Sequence, residues 1–182
     1  MSETVKVGFK LLLITAIATF ALALTQMVTE EPIRAQVENA ATEARQAVLA
    51  DAGEFKALEV PSGRYPAILE VHEGLAGGKT VGYTFKLTGK GYGGNFEIIA
   101  GIRTDGEIEG IRILRHSETP GLGAESQKPE FYEQFSGKSA SGPLAANDIS
   151  AITGATVTTN AVTDAVNIAI EYFNTELGGG KQ

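Results

Sequence analysis

Hydroxyl side chains stand beside small residues in one short run of the sequence, Thr153-Gly154-Ala155-Thr156-Val157-Thr158-Thr159. The free backbone N–H groups at the start of a helix stabilise a phosphate. Gly154 and Ala155 leave room for a bulky ligand to approach the backbone. The alternative is that Thr158 or Thr159 only caps the following helix, because threonine is a common N-cap. The residue types alone favour the cap.

The helix that must position this run is predicted to begin near Thr159 or Asn160 and to end at Gly178. Its apolar residues recur at the spacing of one helical face: Val162, Ala165, Val166, Ala169, Ile170 and Phe173. Thr156 has no histidine or lysine beside it in the sequence, so no neighbour along the chain makes its hydroxyl a strong nucleophile.

Two glycine-containing segments precede this run. The first is Gly91-Tyr92-Gly93-Gly94, and the second is His116-Ser117-Glu118-Thr119-Pro120-Gly121-Leu122-Gly123. The first segment lacks the following helix that a phosphate-binding glycine loop needs, and taken alone it predicts a flexible loop. Pro120-Gly121 in the second segment is typical of a tight turn. His116 has no metal-type partner nearby in the sequence, which favours a structural role over a catalytic one.

Two of these motifs resemble those of covalent FMN-binding domains. In that family a Ser/Thr-Gly-Ala-Thr segment carries FMN through a phosphoester on its last threonine, and here that residue is Thr156. The segment that begins at His116 resembles the family's His-x-Glu-Thr-Pro-Gly-Leu-Gly segment. The resemblance covers nearly the whole chain and points to the G subunits of Rnf complexes, the ion-translocating ferredoxin:NAD oxidoreductases. The C subunit of the sodium-translocating NADH:quinone reductase is a close relative.

The resemblance implies one FMN on Thr156, installed by a flavin transferase that uses FAD as donor. It also implies flavin contacts from three segments: Thr153, Gly154, Ala155, Val157 and Thr158; Glu118, Thr119, Gly121 and Leu122; and Tyr92 and Gly93. Apart from the resemblance, Lys128 could compensate phosphate charge, although lysine side chains are more often plain surface residues. The chain would be the redox subunit of a translocase, with no catalytic residue and no substrate turnover of its own. Other membrane and peripheral subunits would supply ferredoxin oxidation, NAD reduction and the ion path.

An uncharged run near the N-terminus predicts a membrane anchor. Residues 11–29 contain no charged side chain, and at about 1.5 Å per residue their helix nearly spans a hydrocarbon core of about 30 Å. Lys6 and Lys10 precede the run, which predicts a cytoplasmic N-terminus and an extracytoplasmic FMN domain. We expect a single-pass protein of a bacterial or archaeal cell membrane. A cleaved signal peptide is the alternative, because Ala21-Leu22-Ala23 resembles a cleavage site.

The domain after the anchor is predicted to be α+β, with a mostly antiparallel sheet and flanking helices. Residues 30–52 predict a stalk helix with Pro32 in its first turn. Apolar and alternating runs predict strands over 55–60, 67–72, 81–88, 96–103 and 107–115, with a hairpin turn at Thr104-Asp105-Gly106. The predicted division is a membrane anchor over 1–29, a linker or stalk over 30–53 and an FMN-binding domain over 54–182.

Composition excludes several functional classes. The 182 residues include no cysteine, which rules out disulfides, cysteine-ligated iron–sulfur clusters and thiol catalysis in them. The formal net charge of −7 argues against nucleic-acid binding. No metal-ligand spacing and no nucleophilic triad pattern occurs. Two alternatives stay open: a flavin carrier that resembles the quinone reductase's C subunit or stands alone outside the cytoplasm, and an anchored binding or scaffold domain without a cofactor.

Overall fold

The computed structural model describes residues 3–61, 63–145 and 147–178, and the chain divides into two compact units, Met1–Ala40 and Ala41–Gln182. The helices are α1 (Glu3–Val48), α2 (Pro129–Tyr132) and α3 (Thr156–Glu176). The strands are β1 (Glu54–Leu58), β2 (Ile68–Ala76), β3 (Lys79–Lys90), β4 (Asn95–Arg103), β5 (Glu107–His116) and β6 (Lys138–Ser139). An antiparallel sheet with flanking helices confirms the predicted α+β class.

Helix α1 continues through Pro32, so the prediction of a separate helix that begins near residue 30 is wrong. A proline inside a helix removes one N–H group and therefore one hydrogen bond of the helical ladder. Good helix formers, mainly alanine, glutamate, glutamine and arginine, follow Pro32 and favour continuation of the helix. The division of the chain at residues 29 and 53 into an anchor, a stalk and an FMN-binding domain stays a prediction.

Helix α1 is, among the described residues, the one helix that is long and apolar enough to cross a membrane. Three threonines of its apolar segment satisfy their hydroxyls within the helix. Thr15, Thr25 and Thr29 donate their hydroxyls to backbone carbonyls four residues earlier, over 2.9–3.0 Å. Such local bonds satisfy the hydroxyls within the helix itself, which lowers the cost of placing them in hydrocarbon.

The six strands form one antiparallel sheet in the order β1-β2-β3-β4-β5-β6, so neighbours along the chain are neighbours in the sheet. The predicted hairpin between β4 and β5 is confirmed, with Gly106 at a φ of 83°. β2 and β3 extend beyond their predicted ends because the turn between them narrows to Gly77 and Gly78, which both have positive φ. Strand β6 is not among the predicted strands, and it pairs with the start of β5.

Strand β4 is buried on both of its faces, which explains its nearly unbroken apolar run. On one face Ile98 and Ile102 belong to the main core, together with Val166 and Phe173 of α3. On the other face Ile99 packs against the last turns of α1, at Ala41, Ala44 and Val48. Helix α3 contacts β3 and β4, so the middle of the sheet determines where this helix lies.

A small polar network lies where the end of α1 meets the sheet. The buried Arg45 donates from Nη2 to Oε2 of Glu70 over 2.6 Å, and Lys86 donates from Nζ to Oε1 of Glu70 over 3.0 Å. Burial alone would raise the pKa of Glu70, but Lys86 and Arg45 together hold it below its usual value. The carboxylate therefore stabilises the fold while it is ionised.

Gly101 and Gly110 are paired across β4 and β5, and they offer a matched test of the contact between α1 and the sheet. A Cβ atom on Gly101 would lie 1.8 Å from the backbone oxygen of Val48, whereas one on Gly110 would have no atom within 4 Å. Gly101→Ala should therefore lower the free energy of unfolding by about 1–3 kcal/mol or more, as overpacking does. Gly110→Ala should be neutral or stabilising by roughly 0.5–1 kcal/mol. Thermal unfolding of the full chain in detergent measures both, and equal losses would contradict this packing.

Glu70 should give the fold a defined dependence on pH. Because the folded-state pKa of Glu70 is lowered, its stabilisation is present above the unfolded-state pKa of about 4.3 and is lost as pH falls through the folded-state pKa. Glu70→Gln should lower stability at neutral pH by about 1 kcal/mol, since the carboxylate is partly exposed, and should flatten the acid limb of stability against pH. The exposed Glu59→Gln is the control. An unchanged acid limb in Glu70→Gln would show that the network contributes little.

Candidate functional site

Three loops meet at the N-terminal end of α3. We call them the glycine loop (residues 91–94), the β5 loop (residues 117–123) and the α3-entry turn (residues 153–155). The glycine loop touches the β5 loop, because the N–H of Gly93 donates to Oε2 of Glu118 over 3.1 Å. The β5 loop touches the α3-entry turn, because Cδ2 of Leu122 lies 3.1 Å from where a Cβ atom on Gly154 would stand. The three segments singled out in the sequence therefore form one site.

Helix α3 begins earlier than predicted, at Thr156, and its N-cap is Ala155. The prediction that Thr158 or Thr159 is the cap is wrong, since both lie inside the first turns and are buried. The Thr159 hydroxyl donates to the backbone oxygen of Ala155 over 3.2 Å and accepts from the N–H of Ile152 over 3.0 Å. Threonine suits a first helical turn that is stabilised in this way, so its presence did not identify the cap.

The start of α3 has no side-chain cap, because Ala155 carries neither a hydroxyl nor a carboxylate. The helical ladder begins with the N–H of Thr159, which donates to the oxygen of Ala155 over 3.0 Å. The N–H groups of Thr156, Val157 and Thr158 precede that first bond and belong to the unpaired set at a helix start. Thr156 is exposed at the first helical position. Its hydroxyl thus stands where the helix dipole favours a negative charge.

Large apolar side chains are exposed at the outer edge of the three loops, which we call the rim of the site. Among the described residues of the unit Ala41–Gln182, the large apolar side chains that are strongly exposed are Leu69, Tyr92, Leu122 and Val157. All but Leu69 were predicted as flavin contacts from the sequence. Exposed apolar groups that cluster in this way mark a surface that binds a ligand or a partner.

The other predicted contacts divide into exposed and buried groups. Thr119, Gly121, Thr153 and Gly154 are exposed at the rim, and Gly121 and Gly154 both have a φ of 75°, which favours glycine. Glu118, Ala155 and Thr158 are buried. The structure therefore brings all of these residues to one site, but Glu118 and Thr158 lie within it rather than on its surface.

Glu118 is buried between the glycine loop and the first turn of α3, and the residue is only 7% exposed. The Nδ1 atom of His116 accepts a hydrogen bond from the backbone N–H of Glu118 over 3.1 Å, which fixes the start of the β5 loop. This contact agrees with the structural role expected for His116.

Lys128 lies beside the site but is engaged with an acid. Its Nζ is 2.5 Å from a carboxylate oxygen of Glu125, and this hydrogen bond and charge raise the pKa of Lys128. Lys128 also lines a cleft of about 360 Å³ with Ala151 and Ile152, which lead into the α3-entry turn. An exposed pair of this kind contributes little stability, so the lysine can turn towards another anion at small cost.

Gly91 and Gly123 belong to the two segments singled out in the sequence, but their contact with Glu118 was not predicted. A Cβ atom on Gly91 would lie 1.8 Å from Oε1 of Glu118, and one on Gly123 would lie 2.3 Å from Oε2 of Glu118. A side chain at either position would therefore have to displace the carboxylate that packs against it. Glycine is common in turns, so the sequence held no signal that distinguished this close approach from ordinary turn formation.

The site residues fit an FMN phosphoester by two observations: an exposed hydroxyl stands at an uncapped helix start, and exposed apolar side chains surround it. Beneath this surface two buried polar atoms, Oε1 of Glu118 and Oγ1 of Thr158, have no hydrogen-bond partner. Unsatisfied buried polar atoms are uncommon and occur at sites with a further role. Among the described residues no group of acidic or histidine side chains is arranged to hold a metal ion.

Comparison with known families and proteins agrees with this site. Residues 91–171, which include all three loops, match the FMN-binding domain family. The chain is 40% identical to the G subunit of the Na(+)-translocating ferredoxin:NAD(+) oxidoreductase complex of Acetobacterium woodii, over 92% of this chain and 90% of that protein. It is 33% identical to the G subunit of the ion-translocating oxidoreductase complex of Methanosarcina acetivorans, over 97% of each chain.

Two solved structures share the fold. The C subunit of Na(+)-translocating NADH-quinone reductase from Parabacteroides distasonis superposes with a TM-score of 0.53 at 17% identity, over 82% of this chain and 96% of that one. NqrC from Shewanella oneidensis superposes with a TM-score of 0.52 at 22% identity, over 72% of each chain. At these identities the likeness is one of fold.

Proposed function

This chain belongs to the G-subunit family of ion-translocating oxidoreductase complexes, and we propose that it is an electron-transfer subunit that carries FMN covalently on Thr156. The observation that carries the proposal is the exposed Thr156 at the uncapped start of α3, inside a segment that matches an FMN-binding domain. Bound FMN supplies reversible electron transfer. The work of the protein is to hold the flavin and to set its surroundings.

Attachment takes place at the Thr156 hydroxyl. We propose that a flavin transferase uses FAD, so that the Thr156 oxygen forms a new bond to the FMN phosphorus while the bond between the two phosphates breaks. AMP leaves, and the hydroxyl proton passes to the transferase or to water. Residues 151–161 of this chain contain no histidine and no lysine, which supports a base supplied by the transferase.

The phosphodiester formed in this way keeps one negative charge, and the start of α3 is suited to it. The N–H groups of Thr156, Val157 and Thr158 precede the helical ladder, and the dipole of a helix of 21 residues has its positive end there. Lys128 lies beside the cleft that leads to this turn and adds a mobile positive charge. No acidic residue lies within the first turn of α3 to oppose the phosphate.

The flavin ring is proposed to lie against the apolar rim. Leu122 touches the α3-entry turn at Gly154, and Tyr92 and Val157 expose apolar surface around the same turn. Burial of part of this surface by the ring gives roughly 25 cal/mol per Å² and excludes water from the ring face. Thr119 and Thr153 offer exposed hydroxyls at its edge.

The anchor segment and the family point to assembly in a membrane. Residues 11–29 lie in the apolar part of α1, with Lys6 and Lys10 before them. We propose that the N-terminus is cytoplasmic, that the FMN domain is extracytoplasmic, and that the other subunits of the complex supply the ferredoxin, NAD and ion-translocating functions. A covalent tether suits an extracytoplasmic carrier, because a dissociating flavin would be lost there.

Thr156→Ala should abolish covalent flavin without loss of the fold, because an exposed hydroxyl contributes little to stability. The protein is produced with a flavin transferase, and in-gel flavin fluorescence after denaturation is combined with intact mass and peptide mapping. The expected result is an added mass of FMN minus water on Thr156 of the parent and none in the variant.

Thr104→Ala removes the hydroxyl of an exposed threonine in the β4–β5 hairpin and serves as the matched control that keeps its flavin. Covalent flavin retained in Thr156→Ala would reject this residue as the attachment point. An unmodified parent under the same conditions would favour an anchored binding domain without a cofactor.

Leu122→Ala should keep the tether and change the surroundings of the flavin. If Leu122 covers one face of the ring, its truncation admits water and shifts the flavin fluorescence and reduction potential. Leu69→Ala removes a leucine of similar exposure from β2, outside the three loops, and should leave both properties unchanged. Identical spectra and potentials in the two variants would count against the contact.

A further inference from the structure

We propose that Glu118 is a positioning residue whose buried carboxylate ties the three loops together and thereby orients Thr156 and Leu122, without itself touching the flavin. The effect on the flavin rests on the proposed function, whereas the contacts of Glu118 do not depend on any cofactor. We call the group formed by Gly91, Gly93, Glu118, Gly123 and Thr158 the Glu118 latch.

The carboxylate has a fixed place in the interior. Its Oε2 accepts from the N–H of Gly93 over 3.1 Å, which holds the glycine loop. A Cβ atom on Gly93 would lie 2.5 Å from the backbone oxygen of Ser117 and 2.8 Å from Cα of Glu118, so this loop lies directly on the β5 loop. Contact at such distances leaves no space for a ligand between the two loops.

The carboxylate also reaches the first turn of α3. The place of a Cβ atom on Gly123 is 2.3 Å from Oε2 of Glu118 and 2.7 Å from Oγ1 of Thr158, so both oxygens border the same point. The place of a Cβ atom on Gly91 is 1.8 Å from Oε1 of Glu118 and 3.5 Å from Cγ2 of Thr158. Glu118 and Thr158 are therefore neighbours beneath the site.

Two unpartnered atoms supply the second argument. Oε1 of Glu118 and Oγ1 of Thr158 are both fully buried and have no hydrogen-bond partner. One is an acceptor, and the other carries a hydroxyl proton that it can donate. Each atom left unsatisfied carries a desolvation cost. The two atoms make no direct hydrogen bond to each other, and one buried water between them would remove both costs. In the proposed latch such a water joins the β5 loop to α3.

The latch explains how the site is held in shape without a cofactor. Thr158 lies two residues after Thr156, and Glu118 lies four residues before Leu122. Movement of the carboxylate would therefore change the position of the attachment hydroxyl and of the apolar cover at the same time. Because the carboxylate is enclosed by glycines on two sides, its effect on the flavin passes through these neighbours.

The first arm of the test uses the full chain in detergent with Thr156→Ala, so that no flavin is attached. Gly91→Ala should lower the midpoint of thermal unfolding by roughly 3 °C or more. In a Glu118→Ala background the same substitution should cost much less, because the next atom, Cγ2 of Thr158, is at an ordinary 3.5 Å. Gly110→Ala, which meets no atom, is the control. Additive effects of Gly91→Ala and Glu118→Ala would overturn the latch.

The second arm uses flavinylated protein and separates positioning from direct contact. Glu118→Ala should shift the reduction potential and fluorescence of the flavin and reduce the yield of attachment. Glu118→Gln should recover most of each loss, because its amide oxygen accepts from Gly93 and its NH₂ group donates to Thr158. Thr158→Val, which keeps the shape of the side chain, should resemble Glu118→Ala.

The outcomes distinguish the two proposals. A reduction potential that shifts in Glu118→Gln as much as in Glu118→Ala, while the unfolding midpoint is restored, would show that the carboxylate charge acts on the flavin directly and would overturn the positioning role. Failure of flavin to attach to the parent protein would reject the proposed function, yet the unfolding data of the first arm would still decide whether the latch exists.

Discussion

The packing of α3 across β3 and β4 is the constraint on which the site depends. Val166 and Phe173 of α3 share one core with Ile98 and Ile102 of β4, and these side chains are almost completely buried. A close-packed core resists displacement of a helix along its axis or about it. The N-terminal turn of α3 is thereby fixed next to the loops that follow β3 and β5, and Thr156 has a defined position although its own side chain packs against little.

Glycines convert this general packing into close approach at the loops. In the sheet, the absence of a side chain at Gly101 lets the end of α1 pack closely. In the loops, Gly91 and Gly123 leave room for the carboxylate of Glu118. At Gly121 and Gly154 a φ of 75° turns the chain so that the β5 loop and the α3-entry turn meet at Leu122. The glycines of the first group are needed because a side chain would clash, and those of the second because of their positive φ. Substitutions in the two groups should therefore destabilise the fold for different physical reasons.

The sequence predicted the elements better than their ends and their contacts. Apolar and alternating runs identified strands β1 to β5, and the 3.6-residue spacing identified α3, because burial of a face leaves a pattern in the sequence. The start of α3 was misplaced because threonine suits both a cap and a first turn. The start of a stalk helix at residue 30 was wrong because α1 continues through this point, and the hydrogen bond lost at Pro32 does not end the helix. The position of Glu118 beneath the site, rather than on it, depends on contacts between residues far apart in the chain, which no local pattern records.

The charges around α3 argue for separate positions of the two anions in the proposed holoprotein. The carboxylate of Glu118 is buried beside Thr158, and the proposed phosphodiester is attached to the exposed Thr156. Like charges in a poorly screened environment repel each other strongly. Exposure places the phosphate where water screens it, while Gly93 stabilises the buried carboxylate through its N–H. The uncapped start of α3 is therefore available to the phosphate, because Ala155 brings no competing acceptor, whereas Glu118 is held from the side of the glycine loop.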